Sequence, residues 1–309
     1  MKILILGGNG LVGSSLARVL ENKFKNDKII SSNRNEANLF SKKETFKLID
    51  RIKPNIIINS AAKVGGIVAN NTQRTEFLLE NLKININVLE NLIYFPEVNL
   101  INLGSSCIYP LNAKNPISEM SLMTGKLEPT NSPYAMAKLT SIELGNAISK
   151  QYGIKIINLM PTNLYGPNDN FNSEFSHVIP GLITRMHNAK ITNSKSFEVW
   201  GTGKPLREFL YVDDLSKAIA FIIKKNINDS LINIGSGSEI SIKNLVFKIK
   251  QIIGFEGKII FDTSKPDGNP RKLLNSNLIN NYGWKAETGL EKGLYKTYNW
   301  YKKSLKLNV

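Results

Sequence analysis

One cysteine, Cys107, and two histidines, His177 and His187, are all that 309 residues hold of those types. A lone thiol excludes an internal disulfide, and so few Cys and His leave no basis for a structural zinc site, so no metal is expected. No apolar run approaches the roughly eighteen residues of a spanning helix, and Met1 to Leu6 gives way to Gly7-Gly8 too soon for a signal-peptide core. The expectation is a soluble, cytoplasmic protein with no membrane partner. Acidic side chains are scarce too, 25 against 40 Lys and Arg, for a formal charge of +15. Such an excess can draw polyanions, but the lysines are scattered and gather only in the tail from Lys296 to Lys306. The charge reads as solvated surface, and no nucleic-acid partner is expected. A Gly-x-Ser-x-Gly elbow is missing, which sets a serine hydrolase aside.

What is present is an ordinary globular composition, 42% hydrophobic and 21% charged, in a chain long enough to bury a large core. Lys2 to Leu6 reads as a strand buried on both faces, followed at once by Gly7, Gly10 and Gly13 and an amphipathic helix. Glycines at a strand-to-helix turn let a pyrophosphate approach the helix N-terminus, so a dinucleotide site is expected there. After the second strand, Lys28 to Ser31, no acidic residue waits for a ribose 2'-hydroxyl; the chain reads Ser31-Ser32-Asn33-Arg34. Arg34 can hold a 2'-phosphate, which favours NADP, or it is an exposed loop arginine.

Strand and helix keep alternating: helix 43–52, strand 55–60, one long helix 72–95, strand 98–103, helix 132–152, strand 155–160. Such alternation builds a parallel sheet whose ligands lie at the carboxyl ends of its strands. From residue 166 the elements shorten and mix: a helix near 180–188, a strand 197–200 and a charged turn Pro205-Leu206-Arg207-Glu208. A helix from Val212 and a strand 232–234 return to the parent sheet. The fold class expected is α/β, a Rossmann-like doubly wound parallel sheet (1–165 and 213–237) with a smaller, discontinuous α/β domain (166–212 and 238–309).

Ser105 and Cys107 follow the fourth strand, where a ligand would sit. One loop later Tyr134 and Lys138 stand four apart on a helix, sharing a face. Tyr298 and Lys302 repeat the spacing with no strand-end serine ahead of them and read as surface. The glycine turn, the strand-end serine and the Tyr-x-x-x-Lys helix, in this order, resemble the extended short-chain dehydrogenase/reductases acting on nucleotide sugars. Ala61–Asn70, Gly104–Pro110, Leu127–Asn131, Met160–Pro167, Asp169–Phe171, Ser176–Pro180, Trp200–Gly203, Arg207–Phe209 and Lys265–Gly268 are similar to the GDP-L-fucose synthase branch of that family.

The resemblance implies an NADPH-dependent enzyme that epimerises C3 and C5 of GDP-4-keto-6-deoxy-mannose and reduces its C4 ketone, working as a homodimer. A C4 carbonyl acidifies its neighbouring hydrogens, so a base and an acid suffice for epimerisation. The resemblance gives those roles to Cys107 and His177; a thiol, with a reference pKa of about 8.5, suits the first and an imidazole the second. For reduction it makes Tyr134 the proton donor, Lys138 its partner and Ser105 a hydrogen-bond donor to the ketone. It implies cofactor contacts at Gly7, Gly10, Leu11, Val12, Gly13, Arg34, Ala61, Leu103, Lys138, Pro161, Asn163, Leu164 and His177. Contacts to the GDP-sugar are implied at Asn163, Arg185, Trp200, Arg207 and Asp267, where a core tryptophan, an Arg207–Glu208 pair and a turn aspartate are the bland alternatives. Two departures stand out: Asn9 replaces an arginine that can assist the 2'-phosphate, and Ser132 an acidic residue. Another nucleotide-sugar epimerase or 4-reductase, holding NAD and needing no thiol, or a dinucleotide-binding regulator without turnover, remains open on the residues alone.

Overall fold

The computed structural model describes residues 1–173, 175–265 and 267–307. Its first half alternates β1 (Lys2–Leu6), α1 (Leu11–Lys23), β2 (Lys28–Ser32), α2 (Lys42–Ile52), β3 (Ile56–Asn59), α3 (Ile67–Thr72), α4 (Arg74–Leu92), β4 (Asn99–Leu103), α5 (Ser132–Tyr152) and β5 (Ile156–Pro161). There follow β6 (Asn163–Tyr165), α6 (Val178–Ile191), β7 (Ser196–Trp200), β8 (Leu206–Tyr211), α7 (Val212–Lys225), β9 (Leu231–Ile234), β10 (Glu239–Ser241), α8 (Ile242–Ile253), β11 (Lys258–Asp262), β12 (Arg271–Lys272), α9 (Asn277–Asn281) and α10 (Leu290–Leu307). Among the described residues no helix is long and apolar enough to cross a membrane.

The main sheet is parallel, in the order β2-β1-β3-β4-β5-β9. Strand period sorts the apolar side chains of β1 onto two faces. Ile3 and Ile5 join a core with Leu16, Leu20 and Ile219 of α1 and α7, while Leu4 and Leu6 join another with Leu48 of α2 and Val88 of α4. Burying one such side chain is worth about 1.5–3 kcal/mol, so helices on both faces are the only arrangement this strand tolerates. The chain leaves β1 for β2 on one side and returns for β3 on the other. That reversal opens the crevice at the carboxyl ends of β1 and β3.

A four-stranded sheet centred on β8, with β6, β10 and β12 as partners, and the β7–β11 pair form the rest. The charged turn expected at 205–208 is instead the start of β8. Glu208 is fully buried, its carboxylate accepting N–H bonds from Gly237 (2.8 Å) and Leu274 (3.0 Å), which ties β8 to the loop after β9 and to the chain beyond β12. Arg207 does not pair with it, since neighbours on a strand point to opposite faces. The long helix expected over 72–95 is α4, and Gln73 (φ −116°, ψ 43°) separates it from the short α3, which was not expected. Ile279 and Trp284 pack into the core of the main sheet, and Tyr165 into that of the smaller one.

A polar seam crosses the main sheet just below its carboxyl ends. Asn59, Asn102 and Asn158 occupy matched positions on β3, β4 and β5, all at most 1% exposed. Asn59 donates to Asn102 and Asn102 to Asn158, each at 3.1 Å, while Asn102 also reaches Ser141 of α5 at 2.9 Å and Asn59 reaches Asn85 of α4 at 3.3 Å. Removing the middle amide strands donors and acceptors on three elements. Asn102→Leu is expected to lower the unfolding free energy by about 2–4 kcal/mol; a urea titration showing a loss below about 1 kcal/mol would refute this weight for the seam.

Candidate active site

The turn after β1 is shaped by what its glycines lack. Gly7 has φ +81°, and a Cβ there would lie 2.8 Å from Ala61 Cα; one on Gly13 would lie 2.1 Å from Gly7 O. β1, α1 and the end of β3 thus meet backbone to backbone. Gly10 caps α1 with no side chain, and the first turn carries no acidic residue. Free amides and an uncompensated helix N-terminus in a cradle this close fit a dinucleotide pyrophosphate. The turn opens on a cleft of about 2040 Å³. Ligand pockets usually hold about 300–1,000 Å³, so this one has room for a dinucleotide and a second nucleotide together.

Every residue given a catalytic, cofactor or substrate contact from sequence lines that cleft except Gly13, which packs behind it. Leu11 and Val12 open α1; Ala61, Leu103, Pro161, Asn163 and Leu164 stand at or just beyond the ends of β3, β4, β5 and in β6. Asn163 is fixed by a 2.8 Å bond from its Nδ2 to the Glu208 carbonyl. Arg34 is exposed at the cleft, its guanidinium 5.7 Å from the Phe40 ring, and it forms no ion pair among the described residues.

Beyond β4 the chain makes one turn of 3-10 helix, Ser106–Ile108, capped by Ser105, whose Oγ accepts the Cys107 N–H at 3.2 Å. α5 brings Tyr134 and Lys138 over this turn. Lys138 is buried and donates from Nζ to the Leu103 carbonyl at 2.8 Å; burial pulls its pKa down to about 8. Its ammonium lies 5.9 Å from the Tyr134 ring. Burial first, and Cys107 second, push the Tyr134 phenol well above the usual range, while a hydrogen bond with Ser105 opposes them. The phenol therefore holds its proton at neutral pH, as a donor must. Arg207 also lies within electrostatic reach of Cys107, and of Asp267. Ser105, Cys107, Tyr134 and Arg207 all line the same cleft.

His177 reaches the same cleft from the N-cap of α6. Its ring meets solvent in the open cleft but is flanked by cleft walls, and this burial lowers its pKa. A protonated imidazole so placed gives up its proton more readily. Arg185 donates to the Glu198 carbonyl and lies 5.0 Å from the Phe197 ring. Trp200 is 56% exposed, so it is no core residue; its indole, with Lys265 Nζ 5.8 Å away, is a free stacking surface. Asp267 accepts from Thr202 N–H (2.9 Å) and Oγ (2.6 Å), which lowers its pKa. Pro266, within the matched segment Lys265–Gly268, lies outside the described residues.

Two residues gained no role from sequence. Asp169 Oδ2 is buried in the cleft wall without a hydrogen-bond partner, and burial lifts this carboxyl to about 7. Phe77 of α4 meets the Tyr134 ring edge-on at 6.3 Å. Asp169 lay in a matched segment but carried no typed chemistry; Phe77 gave no signal, being one more apolar residue of a helix. His187, read as nothing in particular, bonds Tyr298 at 3.0 Å, so that tyrosine is buried and not surface as expected. Among the described residues no cluster of three His, Cys, Asp or Glu could hold a metal.

Comparison with known proteins finds the model of the NAD dependent epimerase/dehydratase family matching residues 3–235. A GDP-L-fucose synthase of Sinorhizobium fredii is 46% identical over 96% of this chain and 94% of its own length. GDP-L-fucose synthase 1 of Arabidopsis thaliana is 44% identical over 98% and 94%. A GDP-L-fucose synthetase structure from Naegleria fowleri, bound to NADP, superposes with TM-score 0.88 at 28% identity, covering 99% of this chain and 95% of that one. Arg34, exposed at the cleft edge, carries the kind of charge that a 2'-phosphate would meet and a hydroxyl would not. Arg34→Ala is expected to raise the KM for NADPH about 10- to 100-fold, the loss of a bond or two to a charged group, and to leave that for NADH nearly unchanged; steady-state kinetics with both cofactors would check it.

Proposed function

We propose that this chain, which belongs to the NAD dependent epimerase/dehydratase family, makes GDP-L-fucose from GDP-4-keto-6-deoxy-D-mannose, epimerising C3 and C5 and then reducing the C4 ketone. It is an NADP-dependent oxidoreductase and epimerase of nucleotide sugars, as its relatives over nearly the whole chain support. One observation carries the reading: a thiol, Cys107, beside the Ser105, Tyr134, Lys138 set, with an imidazole, His177, in the same cleft. A reductase alone needs no thiol there.

In this reading Cys107 takes the proton from C3 or C5, and the electron pair moves into an enolate on O4. Ser105 and Tyr134 donate hydrogen bonds to that oxygen, and His177 returns a proton to carbon on the other face. Arg207 lies within electrostatic reach of the thiol. For reduction, bound NADPH supplies hydride to C4. Tyr134 gives its proton to O4, and the Lys138 ammonium offsets the phenolate left behind. Ser105 serves all three steps, because each builds negative charge on the same oxygen. Arg185 and Arg207 suit the diphosphate, Trp200 a base, Asp267 a nucleotide hydroxyl or amine.

Residues 1–165 and 213–237, which carry the main sheet and also β6, are the cofactor half of this division, and residues 166–212 and 238–309 the GDP-sugar half. We place the enzyme in the cytoplasm, where both nucleotides are made available. A homodimer fits two helices that pack closely on each other, α4 and α5, and still expose Leu79, Ile86, Met136 and Tyr152. Light scattering is expected to return twice the 34.5 kDa chain mass; the monomer mass would sink the pairing. With NADPH and the keto sugar the protein is expected to give GDP-L-fucose by NMR, and a C4-reduced product unchanged at C3 and C5 would remove the epimerase half. Cys107→Ser is expected to slow deuterium exchange at C3 and C5 by about 100-fold or more, the usual worth of a general base, with NADPH affinity unchanged.

A further inference from the structure

Of the five groups given chemical roles, His177 alone stands apart from β4, the turn after it and α5. It caps α6 and makes no side-chain capping bond, so its position follows the backbone leading into it. That backbone is tied to the loop after β3: the Gly66 N–H donates to the Phe175 carbonyl at 2.9 Å, and a Cβ on Gly66 would lie 2.3 Å from Ser176 O. Gly65 and Gly66 share one side-chain clamp, beside the bond from the Asn70 backbone N–H to the Gly66 carbonyl that opens α3. Asn70 Nδ2 donates to the Gly65 carbonyl at 2.8 Å and to that of Gly66 at 3.0 Å. Asn70 is 7% exposed, and its Oδ1 is buried with no partner. An unpaired buried acceptor is costly, and the fold tolerates it where the same amide fixes two successive carbonyls.

We infer that Asn70 is a positioning residue for the epimerisation acid: through Gly66 and Phe175 it sets the backbone that presents His177 to the cleft. The inference rests on the acid role given above to His177. Its reach is selective. The hydrogen bonds of Ser105, Tyr134 and Lys138 run among the end of β4, its following turn and α5, and none passes through residues 65–70 or 175–177. Loosening Asn70 therefore displaces the group that returns a proton to C3 and C5 and leaves the hydride step at C4 in place. A displacement of about 1 Å in a proton-transfer geometry is enough to cost about 100-fold in rate.

Two activities separate these steps. Entry of deuterium with inversion at C3 and C5 of the keto sugar, read by NMR with NADP+ filling the cofactor site, is the exchange that reads epimerisation; oxidation of GDP-L-fucose by NADP+ reads the hydride step in reverse. In Asn70→Asp, which keeps the size but loses both donors, exchange is expected to fall about 100-fold while oxidation at saturating NADP+ stays within about threefold of the parent. Gly66→Ala disturbs the same tie from the other side and is expected to show the same split should Asn70→Asp fail to fold. Equal loss of both activities in the folded variants, or unchanged exchange, would overturn the inference. His177→Asn distinguishes the levels. If it leaves exchange intact, the acid role falls and the inference with it; if it abolishes exchange while the Asn70 and Gly66 variants do not, only the positioning role falls.

Discussion

A buried ammonium held by a backbone carbonyl is the constraint on which the site turns. Lys138 is 3% exposed and answers to the Leu103 carbonyl at 2.8 Å, with desolvation the sole influence drawing its pKa to about 8. A cation so placed is costly unless its hydrogen bonds are met, and meeting this one forces α5 close against the end of β4. Small residues permit the approach: Ala135 and Ala137 are fully buried, and a Cβ on Gly145 would already press on Ile156 at 3.2 Å. Once Lys138 is fixed, Tyr134 lies one helical turn earlier on the same face. Ser105 and Cys107 follow Leu103 by two and four residues, so one contact locates the two hydroxyls and the thiol.

This local character is why much of the site was legible in sequence. Ser105, Cys107, Tyr134 and Lys138 fall within a stretch whose geometry is set by one strand end and one helix. The glycine turn was legible for the same reason. What escaped depends on partners far along the chain. Arg207-Glu208 looked like a turn because two charges after a proline usually are; Glu208 is instead buried by N–H donors at Gly237 and Leu274 that no local pattern announces. Asn59, Asn102 and Asn158 were passed over within apolar strands, since asparagine is disfavoured there and only the register of three parallel strands turns them into a seam. Gln73 divides α3 from α4 without glycine or proline, and Tyr298 is buried by His187, over a hundred residues away.

The two chemistries of the proposed mechanism make unlike demands on rigidity. Reduction draws on groups anchored in β4 and α5, whose packing is continuous with the core of the main sheet. Epimerisation adds a group carried by α6, across the cleft wall, where backbone ties between loops do the holding. An acid lent by a separate element can be set to the depth a pyranose ring requires without disturbing the oxyanion donors. The same separation makes epimerisation the more fragile of the two steps, since loops open at lower free-energy cost than packed strands.

The excess of positive charge acquires a meaning once the cleft is drawn. Among the described residues its lining carries Arg34, Lys138, Arg185, Arg207, Lys265 and Lys272 against Glu128, Asp169 and Asp267. The acidic three are largely occupied or muted: Glu128 accepts from Thr130 and Asn131, Asp267 from Thr202, and Asp169 is pushed towards its neutral form. A cleft that must gather two diphosphate nucleotides faces mutual repulsion between its ligands, which fixed cations between low-dielectric walls relieve. Scattered lysines over the rest of the surface extend that field outward and speed the encounter with anions, an effect that salt screens within about 10 Å at 0.1 M. In the proposed function, part of the charge that sequence assigned to solvated surface thus serves two small anions, the cofactor and the GDP-sugar.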